Sequence, residues 1–216
     1  MPSIRFSWTI ICLLLLTPGL FPTPSLAEDE VQDPEAAVIG TIETLLANLK
    51  TATWDHDVWL TDGNKEHRTV ANVWWTAGTP IRVDIIDGDE KNSTAVLTGD
   101  TVRGFRRGML SFARLSFDVN HRRVLSIRGQ NMKSTGFIHH LHRIIQQEDT
   151  RTLSIDGADA IINYRNEHDL PTRMWVRLPD LHPYRIEVRE EGEVVERHQY
   201  RNIKYHVDID PDLFDI

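Results

Sequence analysis

Residues 69–106 read TVANVWWTAGTPIRVDIIDGDEKNSTAVLTGDTVRGFR, and the spacing of this stretch decides the architecture. Apolar and polar residues alternate with a period of two, so Ile81, Val83 and Ile85 face one way while Arg82 and Asp84 face the other. Between the runs stand Ala77-Gly78-Thr79-Pro80, Asp87-Gly88-Asp89 and Gly99-Asp100, each with a residue that accepts the positive φ of a tight turn. Strands over 69–76, 81–86, 93–98 and 101–106, linked by short turns, make a meander.

The same pattern continues on both sides. Upstream, Trp54 to Leu60 is a strand ended by Asp62-Gly63-Asn64; downstream, Met109 to Asp118 and Arg122 to Arg128 bring the run to seven strands, separated by Gly108 and Asn120-His121. Before the meander, Asp33-Pro34-Glu35 supplies an N-cap, a proline at the first helical position and an early carboxylate. The helix it opens has an apolar stripe of Val38, Ile42, Leu45, Leu46 and Leu49. After Gly129, Ser134 to Gln147 returns to helical spacing with Phe137, Ile138, Leu141, Ile144 and Ile145 on one stripe. Strands resume at Thr152 to Ile155, Ala160 to Arg165, Arg173 to Leu178, Tyr184 to Arg189 and Val194 to Val207. The predicted fold class is α+β: one antiparallel sheet of about eleven strands, large enough to curve strongly, with two helices covering its concave face.

An apolar chamber between these layers suits a lipid or another hydrophobic ligand. The side chains expected to line it are Val73, Trp75, Ile81, Val83, Ile85, Phe105, Leu115 and Phe117 from the strands, and Phe137, Leu141 and Ile145 from the second helix.

The N-terminus reads as an export signal. Arg5 supplies the positive charge, Trp8 to Leu16 the apolar run, and Ser25-Leu26-Ala27 the cleavage site, with cleavage after Ala27. The apolar run is shorter than the ~20 residues that span a bilayer. Residues 28–33 form a loose acidic leader, and 34–216 a single domain. The sole cysteine, Cys12, lies in the signal, so the processed chain has no thiol for a disulfide, a nucleophile or a metal. With 24 Lys and Arg against 32 Asp and Glu, the net charge of −8 argues against nucleic acid as a partner.

Motifs for chemistry are sparse. In His139-His140-Leu141-His142, His139 and His142 share a helix face while His140 points ~100° away from His139, a poor zinc geometry; solvent-facing histidines are expected. Asp208, Asp210 and Asp212 alternate like a calcium loop, but Leu213 stands where its glycine belongs. No nucleophile elbow, zinc-protease motif, phosphate-binding loop or dinucleotide fingerprint occurs. The reading is of a non-enzyme with no catalytic residues, no metal and no cofactor.

Three stretches carry a resemblance to the LolA-like family of periplasmic lipoprotein carriers and its uncharacterised relatives. Val73-Trp74-Trp75-Thr76-Ala77-Gly78-Thr79-Pro80-Ile81-Arg82 resembles the family's strand, proline turn and strand. Leu97 to Phe105 is similar to its next hairpin, and Tyr184 to Phe214, with Tyr200-Arg201-Asn202-Ile203 and Asp210-Pro211-Asp212-Leu213-Phe214, to its closing strands. The resemblance implies an incomplete β-barrel with helices as a lid, a periplasmic location, and acyl chains of lipids or lipoproteins as ligand. It also implies membrane-associated donor or acceptor proteins as partners, and a monomer is expected. Where the family has a basic residue before the strand-linking proline that helps latch the lid, this chain has Thr79, and Arg82 is not an equivalent position. Two other readings are open: a cell-envelope protein-interaction module using open sheet edges, and an exported metal-dependent hydrolase using His139 and His142.

Overall fold

The computed structural model describes residues 33–106 and 114–216. The Asp33 carboxylate accepts from the Glu35 amide at 3.0 Å and so caps α1 (Pro34–Asn48), which buries Val38, Ile39 and Ile42. The chain then runs through β1 (Thr51–Thr61), β2 (Glu66–Thr76), β3 (Ile81–Gly88), β4 (Ser93–Thr98), β5 (Thr101–Arg106) and β6 (Leu115–Asp118). A turn-rich segment, 119–136, leads into α2 (Phe137–Gln146). After it come β7 (Thr152–Asp156), β8 (Asp159–Arg165), β9 (Pro171–Arg177), β10 (His182–Glu190), β11 (Glu193–Tyr205) and a 3-10 turn, Pro211–Phe214.

These strands form one antiparallel sheet in the order β6-β5-β4-β3-β2-β1-β11-β10-β9-β8-β7. Its end strands, β6 and β7, do not pair with each other, so the barrel is incomplete. The chain begins in the middle of the sheet, steps outward to β6, and must then reach the opposite edge before stepping back to β11 beside β1. That crossover carries α2 over one face of the sheet, where Phe137, Ile138, His140, Leu141 and Ile144 are buried.

Register shows which residues share that inner face. Trp54, Val73, Val83, Ala95 and Gly104 stand side by side across β1 to β5, and Ala52, Trp75, Ile81, Leu97 and Val102 form the next row. On the other half, Ile186, Met174, Ile162 and Leu153 line up across β10 to β7. Both helices and both half-sheets contribute to one apolar cluster. The outer face is held differently. Arg82 donates to the Leu213 carbonyl at 2.5 Å and to Asp84 at 2.9 Å, clamping the C-terminal 3-10 turn against β3.

Gly88 shows how tight the β2–β3 pairing is at this end. It sits at φ +100°, and a Cβ there would lie 2.0 Å from the Arg68 carbonyl oxygen. Gly88→Ala is therefore expected to destabilise the protein by about 1–3 kcal/mol, read as a lowered urea midpoint with unchanged slope.

Three local expectations need correction. Arg122 to Arg128 is not a strand: it lies within the turn-rich segment, where side chains compete for the backbone. Ser126 Oγ accepts from the amides of both Arg128 and Gln130, and Asp118 accepts from the Asn120 amide. The second helix starts at Phe137 rather than Ser134, since residues 134–136 are turns and bends. His140 does not face solvent. At 100° per residue it lies only ~60° from Phe137 and shares the face of Leu141 and Ile144, which the comparison with His139 alone obscured. The export signal, most of the leader and the first part of the expected strand from Met109 lie outside the described residues.

Candidate functional site

The space between sheet and helices is where a ligand chamber was expected, and side chains occupy it. Phe137, Ile42, Leu97, Leu141, Ile144, Ile162, Met174 and Ile186 are all fully buried. Phe137 is central: its ring meets Trp54 edge-on at 4.8 Å and Tyr200 at 5.4 Å, joining α2 to β1 and β11. Val73 and Ile81 are buried in the same cluster, with Trp75, Val83 and Ile145 packed against it.

Of the remaining expected lining residues, register puts Leu115, Phe117 and Ile85 on the inner side, outside the packed cluster, and Phe105 on the outer. Phe105 pairs in register with Thr94 and hence with Asp84, which places it on the outer face; Gly104, not Phe105, looks inward. Leu115 lies on the inner side of β6 but is 52% exposed, because β6 is an edge strand with no neighbour beyond it among the described residues. Phe117 is part-buried, stacked on His121 at 4.8 Å under Arg123. Ile85, part-buried, lines a concavity of about 280 Å³ near the β3–β4 turn.

The interior also contains a polar cluster that sequence reasoning missed. β11 directs Glu196, His198 and Tyr200 inward, and β1 places His56 opposite Tyr200. His56 Nε2 and His198 Nδ1 are 3.1 Å apart, and His198 Nε2 lies 3.4 Å from Glu196 Oε2. With His198 donating to Glu196, its other nitrogen accepts from His56. From α2, His140 brings a third imidazole, its ring centroid 6.0 Å from that of His198, and its Nδ1 is 2.7 Å from the Tyr164 hydroxyl. His140 Nε2 is buried without a partner among the described residues. From the turn-rich segment, Arg128 Nε donates to Glu196 at 2.9 Å and the Gln130 amide donates to its other oxygen at 2.8 Å. The lid helix and the segment before it are thus tied to the middle of the sheet by polar contacts.

Electrostatics follow from this burial. Desolvation, then the imidazoles of His198 and His140, hold His56 well below the ordinary histidine range. His140 is lowered to about 3 by burial and then by His198 and His139, although Glu167 and Glu196 pull the other way. Burial pushes the Glu196 carboxyl up, but hydrogen bonds from His198 and Gln130 and the charge of Arg128 outweigh it and leave the group below its usual range. Burial raises the hydroxyls of Tyr164 and Tyr200. Buried imidazoles beside a carboxylate paired with Arg128 make a latch. Among the described residues no group of three His, Cys, Asp or Glu side chains is arranged to hold a metal ion.

The signal for this cluster was present in the chain. Glu196-Arg197-His198-Gln199-Tyr200-Arg201-Asn202 has no aliphatic residue on either side of a strand, which a central strand tolerates only if its inner face meets polar partners.

No protein-family model and no curated relative matches the chain. Solved structures do. An uncharacterized conserved protein from Thermus thermophilus is 11% identical, covers 84% of this chain and 93% of its own, and has a TM-score of 0.50. MucB is 10% identical with a TM-score of 0.50; the match covers 86% of this chain but only 64% of MucB. A LolA superfamily protein from Nitrosomonas europaea, NE2245, aligns more loosely, with 8% identity, 84% and 97% coverage and a TM-score of 0.43. At such identities likeness speaks to the fold alone. What this chain shares with the first two is the overall fold, which here is an unclosed antiparallel sheet with helices on one face.

Proposed function

We propose that the processed chain is an exported, non-enzymatic carrier or sensor that takes a lipid or lipoprotein acyl chain between the sheet and α2. The observation that carries this reading is the unclosed sheet: its inner face is apolar on either side of the polar cluster of β1 and β11, and a single ten-residue helix covers much of it. Phe137, Ile138, Leu141 and Ile144 are the buried apolar residues of that helix, and at about 1.5–3 kcal/mol each their burial contributes roughly 6–12 kcal/mol. An acyl chain of ~14 methylenes gains about 11 kcal/mol from the same surface, at ~0.8 kcal/mol each. The exchange of helix for ligand is near balance, so a chamber that is filled in the closed state opens without a large net cost.

Export rests on the N-terminal signal reading, and no described helix is long and apolar enough to cross a membrane. The test is a titration of delipidated protein, residues 28–216, with a fluorescent fatty acid. Saturable binding that unlabelled fatty acid displaces is expected; a linear, non-competable signal sinks the proposal. Phe137→Ala, which cuts the contact of α2 with Trp54 and Tyr200, is expected to speed probe uptake and raise the fluorescence of an apolar dye. A variant that only unfolds sooner, with uptake unchanged, identifies α2 as plain core.

A second reading has its own support. Leu115 on β6 and Ile155 on β7 are large apolar side chains left exposed on the two edge strands, as in sheets that accept a partner's strand. Co-purification of an envelope protein that is lost on Leu115→Lys or Ile155→Lys favours it.

A further inference from the structure

The outer face of the sheet differs from the rest of this acidic chain. Arg185 and Gln199 are the last register partners of β10 and β11; beyond them β10 shifts against β9 between Pro183 and Arg185, and β11 shifts against β1 near Asn202, whose φ is +52°. The strand ends part there and leave a groove of about 470 Å³. Arg177, Arg185, Arg201 and His182 line it with Tyr184 and Gln199, and among the described residues no Asp or Glu does, in a chain of net charge −8.

The three guanidiniums are not equally committed. Arg177 Nε donates to Asp159 at 2.8 Å, and Arg185 pairs with Glu187 while lying over the Trp175 ring at 4.9 Å. Arg185 Nε is buried with no acceptor among the described residues. Arg201 donates to the Gln199 side-chain oxygen at 3.0 Å and has no carboxylate partner among the described residues. The groove floor reaches Tyr200 and Ile203, which also pack on the apolar interior.

Asp159 and Glu187 each hold one side of Arg177 and Arg185 beside the groove, which leaves Arg201 as the guanidinium without a carboxylate among the described residues; the oxygens of a phosphate can accept from Arg201 and from the remaining donors of its neighbours at once. We propose that this groove is an anion site that takes the phosphate of an anionic lipid headgroup. The lipid part rests on the carrier reading; the anion part does not.

Two fluorescent probes with the same acyl chain separate the parts, one a phosphatidic acid and the other a fatty acid methyl ester, each titrated at low ionic strength. The full processed chain is expected to bind the phosphate probe about tenfold tighter, the worth of one charge-assisted hydrogen bond. Arg201→Gln is expected to lose most of that preference and leave ester binding unchanged. Arg173→Gln removes the same charge outside the groove, where Arg173 donates to Asn163, and is expected to keep it. Equal affinity for the two probes, or equal losses in the two variants, overturns the lipid headgroup assignment. Titration with inorganic phosphate, followed by the backbone amide signals of residues 199–203, reads the groove without a lipid. A saturable response absent from Arg201→Gln supports the anion site even where neither probe binds, and then the carrier reading is what fails. Phosphate alone binding as tightly as the phosphate probe replaces the headgroup with free phosphate. No response and no probe preference overturns the site.

Discussion

Arg128→Ala is expected to lower the free energy of unfolding by about 3–5 kcal/mol, the scale for breaking a buried ion pair by removing one partner. Glu196 is 0% exposed, and Arg128 holds it from the turn-rich segment while also donating to the Thr61 carbonyl at 2.9 Å and to Glu190 at 2.8 Å. Truncation leaves the Glu196 charge in the interior with Gln130 and His198 as its remaining donors. The measurement is the urea midpoint of the variant against the parent. Removing both charges, as Arg128→Met with Glu196→Leu, is expected to recover most of the loss, because two apolar side chains of similar size need no partner. A loss under about 1 kcal/mol in the single variant puts water, not Arg128, beside Glu196 and removes the latch from the account of the lid.

Acidification is the second large effect. His56 and His140 are held neutral in the folded chain, by burial first and by neighbouring imidazoles next, whereas in the unfolded chain they titrate near the ordinary 6.5. Lowered folded values mean that their contribution is complete above pH 6.5 and declines as pH falls below it, since the unfolded chain then binds protons that the folded chain refuses. Each such histidine costs about 1.4 kcal/mol per pH unit in that range, so two remove about 4 kcal/mol between pH 7 and pH 5. The carboxyl of Glu196 is lowered in the fold, and its contribution is lost only as pH falls through the carboxylate range, below this window. Urea midpoints at pH 7 and pH 5 check the slope. In the double variant His56→Gln with His140→Gln the dependence is expected to flatten; an unchanged slope assigns it to other groups. Because His140 belongs to α2, a lipid probe is also expected to exchange faster at pH 5.

Element order was legible in the chain because period-two and period-3.6 patterns are local. The N-cap at Asp33, the turns at Gly63, Gly78, Gly88 and Gly99, and the alternation of β3 translate directly into the structure. The strand expected from Arg122 to Arg128 was not, because its residues are held by their own side chains and by Glu196, 68 residues from Arg128. Phe105 was assigned to the wrong face for a similar reason: the facing of a short strand is set by its register to β4, which spacing within the strand does not contain. The polar cluster is the clearest case. His56, His140 and His198 come from β1, α2 and β11, and only the topology brings them within hydrogen-bond and ring-contact distance.

That topology also sets an order of assembly. Both halves of the sheet consist of neighbours in sequence, from β1 to β6 and from β7 to β11, while the seam that joins them pairs β1 with β11 across the longest separation in the domain; Thr51 Oγ1 bonds the Val207 carbonyl 156 residues away. Closing that seam carries the greatest loop-closure cost, so it is expected to zip last. Until the C-terminal strand arrives, a nascent chain presents the eleven-residue flank of β1 bare, an open edge that another strand can pair with.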